Sequence, residues 1–140
     1  MQTFGLFIDG VECPAEGGAT YPSINPASGA PWAHFAAASA ADVDRAVAAA
    51  KRAHDSGVWR SKTPAERGAV LRQIADLITD QHMDIVMAEI QDSGGTMRKG
   101  NGADVMGANM SFGQHADFCD ALELEEANPS IFIYKIFNSF

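Results

Sequence analysis

Apolar and polar positions follow two different rhythms along this chain, and the rhythm changes near residue 39. Before that point, short apolar runs of strand length are separated by turn residues. The runs 6–8 and 11–13 flank Asp9 and Gly10, which both tolerate positive φ, so this segment predicts a β-hairpin. After residue 39, apolar residues recur at three- and four-residue spacing, which is typical of amphipathic helices.

The segment between the hairpin and residue 39 predicts further extended structure. Residues 16–18 read Glu-Gly-Gly and predict a second turn. Residues 20–24 predict a strand that Pro22 confines to an edge position or makes irregular, because proline donates no ladder hydrogen bond. The Asn-Pro-Ala-Ser-Gly run at 25–29 predicts a turn, and residues 31–37 predict another strand.

The first predicted helix begins after Ser39. Ser39 can cap it, and Asp42 places an acid in the first turn, where it favours the helix dipole. Gly57 closes the helix, because glycine readily adopts the left-handed conformation that ends helices. The apolar face predicted for this helix consists of Val43, Ala46, Val47 and Ala50.

The second predicted helix has the clearest start signal. Thr63 can cap it, Pro64 suits the first helical position, and Glu66 completes a capping box. Trp59, in the preceding connection, is expected to be a packing anchor at the base of this helix. The apolar stripe of the helix consists of Val70, Leu71, Ile74, Leu77 and Ile78.

Two more helices are predicted before residue 121. The third covers residues 82–91 and ends at Ser93-Gly94-Gly95, with inward positions Met83, Val86, Met87 and Ile90. The fourth starts near residue 102 or 104 and ends near residue 120. Its inward positions are Val105, Ala108, Phe112 and Cys119.

The connection between the third and fourth helices has the glycine spacing of a phosphate loop. A phosphate loop requires Lys and then Ser or Thr after its second glycine. Asn101 and Gly102 stand in those places. Residues 95–101 are therefore interpreted as a flexible loop between helices. A His115–Cys119 metal pair is set aside for a similar reason, because zinc needs three or four ligands.

The last twenty residues differ from the helical part. Glu123, Glu125 and Glu126 form an acidic cluster, and a β-prone run covers residues 131–137. The chain is accordingly divided into residues 1–38 (hairpin and extended segments), 39–120 (helices) and 121–140 (acidic turn and β-prone tail). Together these are interpreted as one partial domain.

Composition narrows the function classes. The net charge is −8, from 18 acids and 10 bases, which disfavours binding to nucleic acid. No apolar run approaches the length of a membrane helix, so no membrane partner is expected. The two cysteines, Cys13 and Cys119, are too few for a disulfide scaffold. Cytoplasmic residence is the expectation.

The ordered series of motifs carries a family resemblance. The segments are 7–10 (FIDG), 23–29 (SINPASG), 41–47 (ADVDRAV), Trp59, 63–67 (TPAER) and 92–95 (DSGG). This series resembles the amino-terminal portion of the NAD(P)-dependent aldehyde dehydrogenase superfamily. The resemblance implies an α/β fold in which a β-hairpin is followed by about four helices. These would form an incomplete dinucleotide-binding domain, with helix faces that further chain would cover.

The resemblance also implies an activity that these residues do not carry. Family members oxidise an aldehyde to a carboxylic acid through a catalytic cysteine, with NAD or NADP as hydride acceptor. Cys13 and Cys119 lack the glycine-flanked context of that nucleophile, and Asn25 is not the family's oxyanion asparagine. No catalytic or cofactor-binding residue is therefore assigned, and the chain is not expected to bind NAD(P) well.

One site of the family does map onto this chain. Many members bind a monovalent cation through oxygens near the Asn-Pro turn and near the aspartate that ends the third helix. The matching residues are Ser23, Ile24 and Asp92. Hard cations take oxygen ligands, and carbonyls in turns can converge on one point. The alternative is a purely structural turn.

Two functions stay open, and a third, an independent ligand-binding domain, ranks behind them because only the incomplete cation site points to it. In the first, the chain is an amino-terminal fragment of an aldehyde dehydrogenase, shortened by truncation or frameshift and catalytically incomplete. In the second, it is a non-catalytic interaction module that self-associates or docks onto a full-length paralogue through exposed apolar faces. The expected partners are the missing carboxy-terminal part, a full-length paralogue or a second copy.

Overall fold

The computed structural model describes residues 1–122, and the predictions for residues 123–140 lie outside that range. The predicted hairpin is confirmed as strands β2 (Leu6–Ile8) and β3 (Val11–Cys13), which pair antiparallel. Asp9 and Gly10 have φ values of 56° and 80°, which is the geometry that a two-residue hairpin turn requires.

A second sheet has three strands in the order β1-β5-β4. Its strands are β1 (Gln2–Phe4), β4 (Thr20–Ile24) and β5 (Pro31–Ala36). The edge position predicted for β4 is confirmed. The strand β1 was not predicted, because three residues are too short for a periodic signal. Its Phe4 ring stacks on Phe35 of β5 with centroids 5.1 Å apart, and this packing stabilises the parallel pair.

The starts of α1 and α2 and the ends of α1 and α3 lie at the predicted caps. Helix α1 covers Ala40–Ser56, α2 covers Pro64–Asp80 and α3 covers His82–Ser93. Reciprocal capping boxes open α1 at Ser39 and α2 at Thr63. Gly57 and Gly94 end α1 and α3 in the left-handed conformation, with φ values of 72° and 69°.

The prediction of a flexible loop at residues 95–101 was wrong. A helical turn, α4 (Met97–Lys99), begins after the cap Thr96, continues as a π-helical segment (Gly100–Val105) and leads into α5 (Met106–Ala121). Gly100 is buried, and a methyl group there would lie 3.2 Å from Ile90 Cγ1. Its missing side chain lets the backbone pack closely on α3, which outweighs the low helix propensity of glycine.

The predicted apolar face of α1 was also wrong, because all four of its residues are exposed. Val43 and Val47 are 52% and 62% exposed, whereas Asp42 and Ala49 are buried. The helix turns small alanines toward the β2–β3 hairpin, which leaves its valines outward. Among the other predicted inward positions, those that prove exposed are Leu77, Met83, Met87 and Ala108.

The best-packed interface joins α2 and α5, which run antiparallel, since Asn109 contacts Ala75 while Asp117 contacts Arg72. Gly68 of α2 sits against α5, because a methyl group there would lie 3.0 Å from the Ala116 carbonyl oxygen. The buried apolar residues of the described chain are few and mostly small: Ala15, Ala33, Ala49, Val86, Val105 and Ala116. Many larger apolar side chains therefore stay on the surface. No helix within residues 1–122 is both long and apolar enough to cross a membrane.

Candidate functional site

A polar cluster joins the three-stranded sheet to the end of α3. The hydroxyl of Ser23 donates to Oδ1 of Asp92 at 2.6 Å, across 69 residues of sequence. The indole Nε1 of Trp32 lies 3.1 Å from Ser23 Oγ and 3.3 Å from Asp92 Oδ1. Two residues that the sequence analysis paired are thus in direct contact, and a third polar group converges on them.

The local backbone explains this convergence. The pairing of β4 with β5 shifts register between Ser23 and Ile24, which places an irregularity in the strand at the cluster. Asn25 Oδ1 then accepts from the amides of Ala27 at 2.9 Å and Ser28 at 3.3 Å. These bonds form an Asx turn and fix the direction in which the chain leaves β4.

The end of α3 docks directly onto that turn. A methyl group at Gly94 would lie 2.9 Å from Pro26 Cβ and 3.3 Å from the Ala27 amide nitrogen. Glycine is required here for two reasons: a side chain would clash with the turn, and the φ of 69° at the helix end favours glycine. This close approach holds Asp92, two residues earlier, beside β4.

The cluster has the donor set of a hard-cation site. A carboxylate, a hydroxyl oxygen and the strand carbonyls offer oxygen atoms, which Na⁺, K⁺ and similar ions prefer. Ile24 could supply only its backbone oxygen, because its side chain is apolar and 45% exposed. Within residues 1–122, no group of three or more His, Cys, Asp or Glu residues is placed to hold a metal. A weak, oxygen-only site is what this geometry can support.

The sequence analysis missed Trp32 as a member of the cluster. Trp32 lies on β5, next to β4 in the sheet, and is only partly exposed. No local motif marks it, because its role depends on the pairing of Ser23 with Ala33 in the antiparallel register. An indole nitrogen that needs a buried hydrogen-bond partner was the available signal.

A second polar centre surrounds Asp42, which the sequence analysis identified only as a helix-start acid. Its carboxylate is 1% exposed and accepts from the amides of Ser39 at 2.8 Å and Glu16 at 2.9 Å. The Arg45 guanidinium completes the set. These amide hydrogen bonds, and then Arg45, hold the pKa of Asp42 well below its usual range. The centre is structural, since it ties α1 to the turn at residues 16–18.

The remaining sequence candidates are not brought together. Cys13 and Cys119 are free and half-buried, on β3 and α5 respectively. His115 Nδ1 lies 2.7 Å from the carbonyl oxygen of Ser111, so this ring nitrogen is hydrogen-bonded within its own helix. Arg67 donates to the carbonyl oxygen of Arg60 at 3.0 Å and not to Glu66. Trp59 packs under Arg67 but remains 45% exposed.

These elements define an α/β protein whose hairpin, three-stranded sheet and helices follow the predicted order. A sequence model of the aldehyde dehydrogenase family matches residues 13–135, so the chain belongs to the aldehyde dehydrogenase family. This confirms the resemblance in the motif series.

Curated relatives agree with that assignment. The chain is 40% identical over 116 residues to an aminoacetaldehyde dehydrogenase of Pseudomonas aeruginosa, a match that covers 83% of this chain and 23% of that protein. It is 35% identical over 130 residues to a cytosolic 10-formyltetrahydrofolate dehydrogenase of Xenopus tropicalis, covering 89% of this chain and 14% of that protein. The chain thus spans less than a quarter of the length of these relatives.

Solved structures confirm the fold. An indole-3-acetaldehyde dehydrogenase of P. syringae, in complex with NAD⁺ and IAA, superimposes with a TM-score of 0.81 at 32% identity. That match covers 89% of this chain and 25% of the other. An NAD-dependent aldehyde dehydrogenase from Sinorhizobium meliloti gives a TM-score of 0.80 at 29% identity, over 86% of this chain and 24% of the other.

Proposed function

We propose that this chain is the amino-terminal part of an NAD(P)-dependent aldehyde dehydrogenase, which oxidises an aldehyde to a carboxylic acid. The observation that carries the proposal is the 0.81 TM-score to an NAD⁺-bound family member at 32% identity. Its contribution is the scaffold of the dinucleotide-binding domain, together with the Ser23–Asp92 cluster. NAD or NADP is the cofactor of the whole protein, and this chain alone is not expected to bind it well.

Aldehyde oxidation in the whole protein is assigned to residues outside the range 1–122. A nucleophilic cysteine needs a thiolate-stabilising environment with a nearby base and oxyanion donors. Cys13 lies in a two-stranded hairpin, and Cys119 lies near the end of α5 between α2 and α5. Within residues 1–122, neither thiol is hydrogen-bonded to a base.

A turnover assay tests catalytic incompleteness. The purified 140-residue protein is mixed with NAD or NADP and a panel of aldehydes, and reduced cofactor is followed at its absorbance maximum. We expect no aldehyde-dependent reduction, while a full-length family member in the same assay reduces cofactor readily. Aldehyde-dependent NAD(P)H formation by the 140-residue protein, abolished by Cys119→Ser or Cys13→Ser, would overturn the proposal.

We further propose that the Ser23–Asp92 cluster, with the backbone of Ile24, holds a monovalent cation. The support is the direct Ser23–Asp92 contact at 2.6 Å beside an irregular strand. The alternative is a purely structural junction, held by hydrogen bonds without an ion. The dependence of stability and of Trp32 fluorescence on K⁺ separates the two.

A second candidate function is a non-catalytic interaction module. The observation that favours it is the set of large apolar side chains left on the surface, such as Phe7 at 76%, Val47 at 62% and Phe118 at 67% exposure. Such surfaces mark protein–protein contacts or aggregation-prone sites. The partner is the remaining part of the enzyme, a full-length paralogue or a second copy.

Light scattering distinguishes this candidate. The pure chain is measured alone and with a full-length aldehyde dehydrogenase, next to a Phe7→Ser, Val47→Ser double variant. An interaction module forms a defined oligomer or complex that the double variant loses. A monomer that ignores the full-length enzyme would contradict the interaction role and leave the fragment proposal intact.

The cellular location is proposed to be the cytoplasm, because both cysteines of the chain are free. Fractionation of cells that produce the natural protein, followed by thiol labelling under denaturing conditions, tests this. Labelled, reduced cysteines in the cytoplasmic fraction are expected. Recovery in an oxidising compartment would contradict it.

A further inference from the structure

The chain contains a single Asn-Gly pair, Asn101-Gly102, and this pair lies within the π-helical segment. In such a pair the backbone nitrogen of the glycine can attack the asparagine side chain, because glycine neither shields that nitrogen nor restricts the backbone. Both residues are exposed, and a methyl group at Gly102 would meet no described atom within 4 Å. Packing among the described residues therefore does not protect the Asn101 amide.

The helical backbone does oppose the attack. In a helix the backbone N–H groups point along the axis toward earlier carbonyl groups, whereas side chains point outward. The Gly102 nitrogen can therefore reach the Asn101 side chain only when the segment opens locally. The glycines at 100 and 102 lower the cost of that opening, because glycine has a low helix propensity.

A hydrogen bond from α3 holds Asn101 in the closed segment. His82 Nε2 lies 2.5 Å from Asn101 Oδ1. An amide oxygen only accepts hydrogen bonds, so Nε2 carries the proton and donates it. His82 is the first residue of α3, and this bond therefore joins the start of that helix to the segment that follows its end.

We propose that Asn101 is a deamidation site, and that the His82 hydrogen bond slows the reaction by keeping the π-helical segment closed. In the open segment, the Gly102 nitrogen bonds to the side-chain carbon Cγ of Asn101. The Cγ–Nδ2 bond breaks, and the amide NH₂ leaves with the proton of the Gly102 nitrogen as ammonia. Water then opens the resulting succinimide ring at either carbonyl carbon, which gives aspartate or isoaspartate at position 101.

The product changes the connection between α3 and α5 irreversibly. A carboxylate replaces a neutral amide beside His82, and isoaspartate also lengthens the backbone by one carbon atom. A longer backbone cannot keep the regular spacing of helical hydrogen bonds, so isoaspartate weakens the segment. The fraction of converted chains therefore records how long and how often the segment has been open.

Mass spectrometry of the 140-residue protein, incubated in mildly alkaline buffer, tests the proposal. Trypsin cuts after Lys99 and next after Lys135, so Asn101 and Asn109 lie in one peptide. Fragment masses locate the gain that results when NH₂ is replaced by OH. We expect conversion at Asn101 and none at Asn109, which precedes methionine and donates to the Ala75 carbonyl oxygen at 2.6 Å.

Matched variants test the hydrogen bond. His82→Ala should convert about fivefold faster, which is the factor for losing one hydrogen bond of ordinary net strength. His82→Gln keeps a side-chain N–H donor and should restore much of the slow rate, whereas His54→Ala, on α1, should match the parent. Gly102→Ala should slow conversion, because a methyl group shields the nitrogen and favours the helix.

Incubation in urea that unfolds the chain supplies the reference rate, which should be fast and equal in the parent, His82→Ala and His82→Gln. Either of two results overturns the proposal. One is an Asn101 that stays unconverted in the folded protein over an incubation that converts it in urea. The other is a folded His82→Ala variant that converts at the parent rate or more slowly, which would show that His82 does not hold the segment closed.

Discussion

The hydroxyl of Ser23 and the carboxylate of Asp92 meet at 2.6 Å, although β4 and α3 share no sequence neighbourhood. This contact joins the sheet to the helices at the point where Gly94 packs against Pro26. The Trp32 indole nitrogen, 3.3 Å from Asp92 Oδ1, provides an optical probe inside the cluster. Ion binding at this place is therefore open to direct measurement.

Replacing Asp92 with asparagine should abolish a cation response. If the cluster holds K⁺, a K⁺ concentration of ten times the dissociation constant should raise the free energy of unfolding by about 1.4 kcal/mol. The reference is the same concentration of tetramethylammonium. The Asp92→Asn variant should lose that gain, because the only charge in the cluster is removed. Thermal unfolding in the two salts measures it.

Trp32 fluorescence, recorded in a Trp59→Phe background, should change with K⁺ only while Asp92 is present. The Asp55→Asn variant, which removes an acid of a distant ion pair, should respond like the parent protein. An equal response in Asp92→Asn would refute the site, and no response in the parent would favour the purely structural turn.

Replacing Gly94 with alanine should destabilise the fold more than the same change at Gly57. Both glycines have φ near 70°, and the left-handed conformation costs an alanine about 1–2 kcal/mol. A methyl group at Gly57 meets nothing within 4 Å, whereas at Gly94 it meets Pro26 Cβ at 2.9 Å. The difference between the two urea midpoints isolates the packing of α3 on the turn. Equal midpoints would show that this junction does not contribute.

Removing the cap hydroxyl of α2 should have a moderate cost. Thr63 Oγ1 accepts from the Glu66 amide at 3.3 Å, so Thr63→Ala should lower the free energy of unfolding by about 1 kcal/mol. The Thr63→Ser variant keeps the hydroxyl and should stay close to the parent. Urea denaturation with helix content as the signal measures both. A serine variant as unstable as the alanine variant would point to the lost methyl group instead.

Stability should fall in acid through Asp42. The pKa of Asp42 in the folded state lies well below its ordinary value of 3.8. The stabilising effect of the charged carboxylate is therefore fully present above the unfolded pKa and is lost as pH falls below about 4 toward the folded pKa. Urea midpoints measured from pH 7 to pH 3 should decline in the parent protein.

The Asp42→Asn variant should be less stable at pH 7 and should show a shallower decline in acid, since the titrating group is gone. Asp44→Asn, an exposed acid on the same helix, serves as the matched control and should follow the parent curve. Parallel curves for Asp42→Asn and the parent would assign the acid sensitivity to other carboxylates.

Local chemistry made the ends of the elements predictable. The Asp9–Gly10 hairpin, the Ser39 and Thr63 caps and the stops at Gly57 and Gly94 depend on residues within a few positions of each other. The faces of the helices were harder. Val43 and Val47 have helical spacing but remain exposed, because periodicity identifies an apolar stripe without naming what covers it.

The helix at residues 97–105 was also not predictable from local sequence. Its glycines argue for a loop, and only packing of Gly100 against Ile90 of α3 makes a helix favourable there. Trp32 likewise joins the Ser23–Asp92 cluster through strand pairing, which no short motif records.

The sequence by itself determined the family, the order of most strands and helices, and the pairing of Ser23 with Asp92 as candidate ligands. These depend on short motifs and their spacing, which can be read from the sequence without knowledge of the tertiary structure. The tertiary structure alone decided that Asp42 is buried, that Gly100 is helical and that the end of α5 meets the start of α2. Those outcomes follow from close packing between segments distant in sequence, where the size of one side chain decides which surfaces can approach.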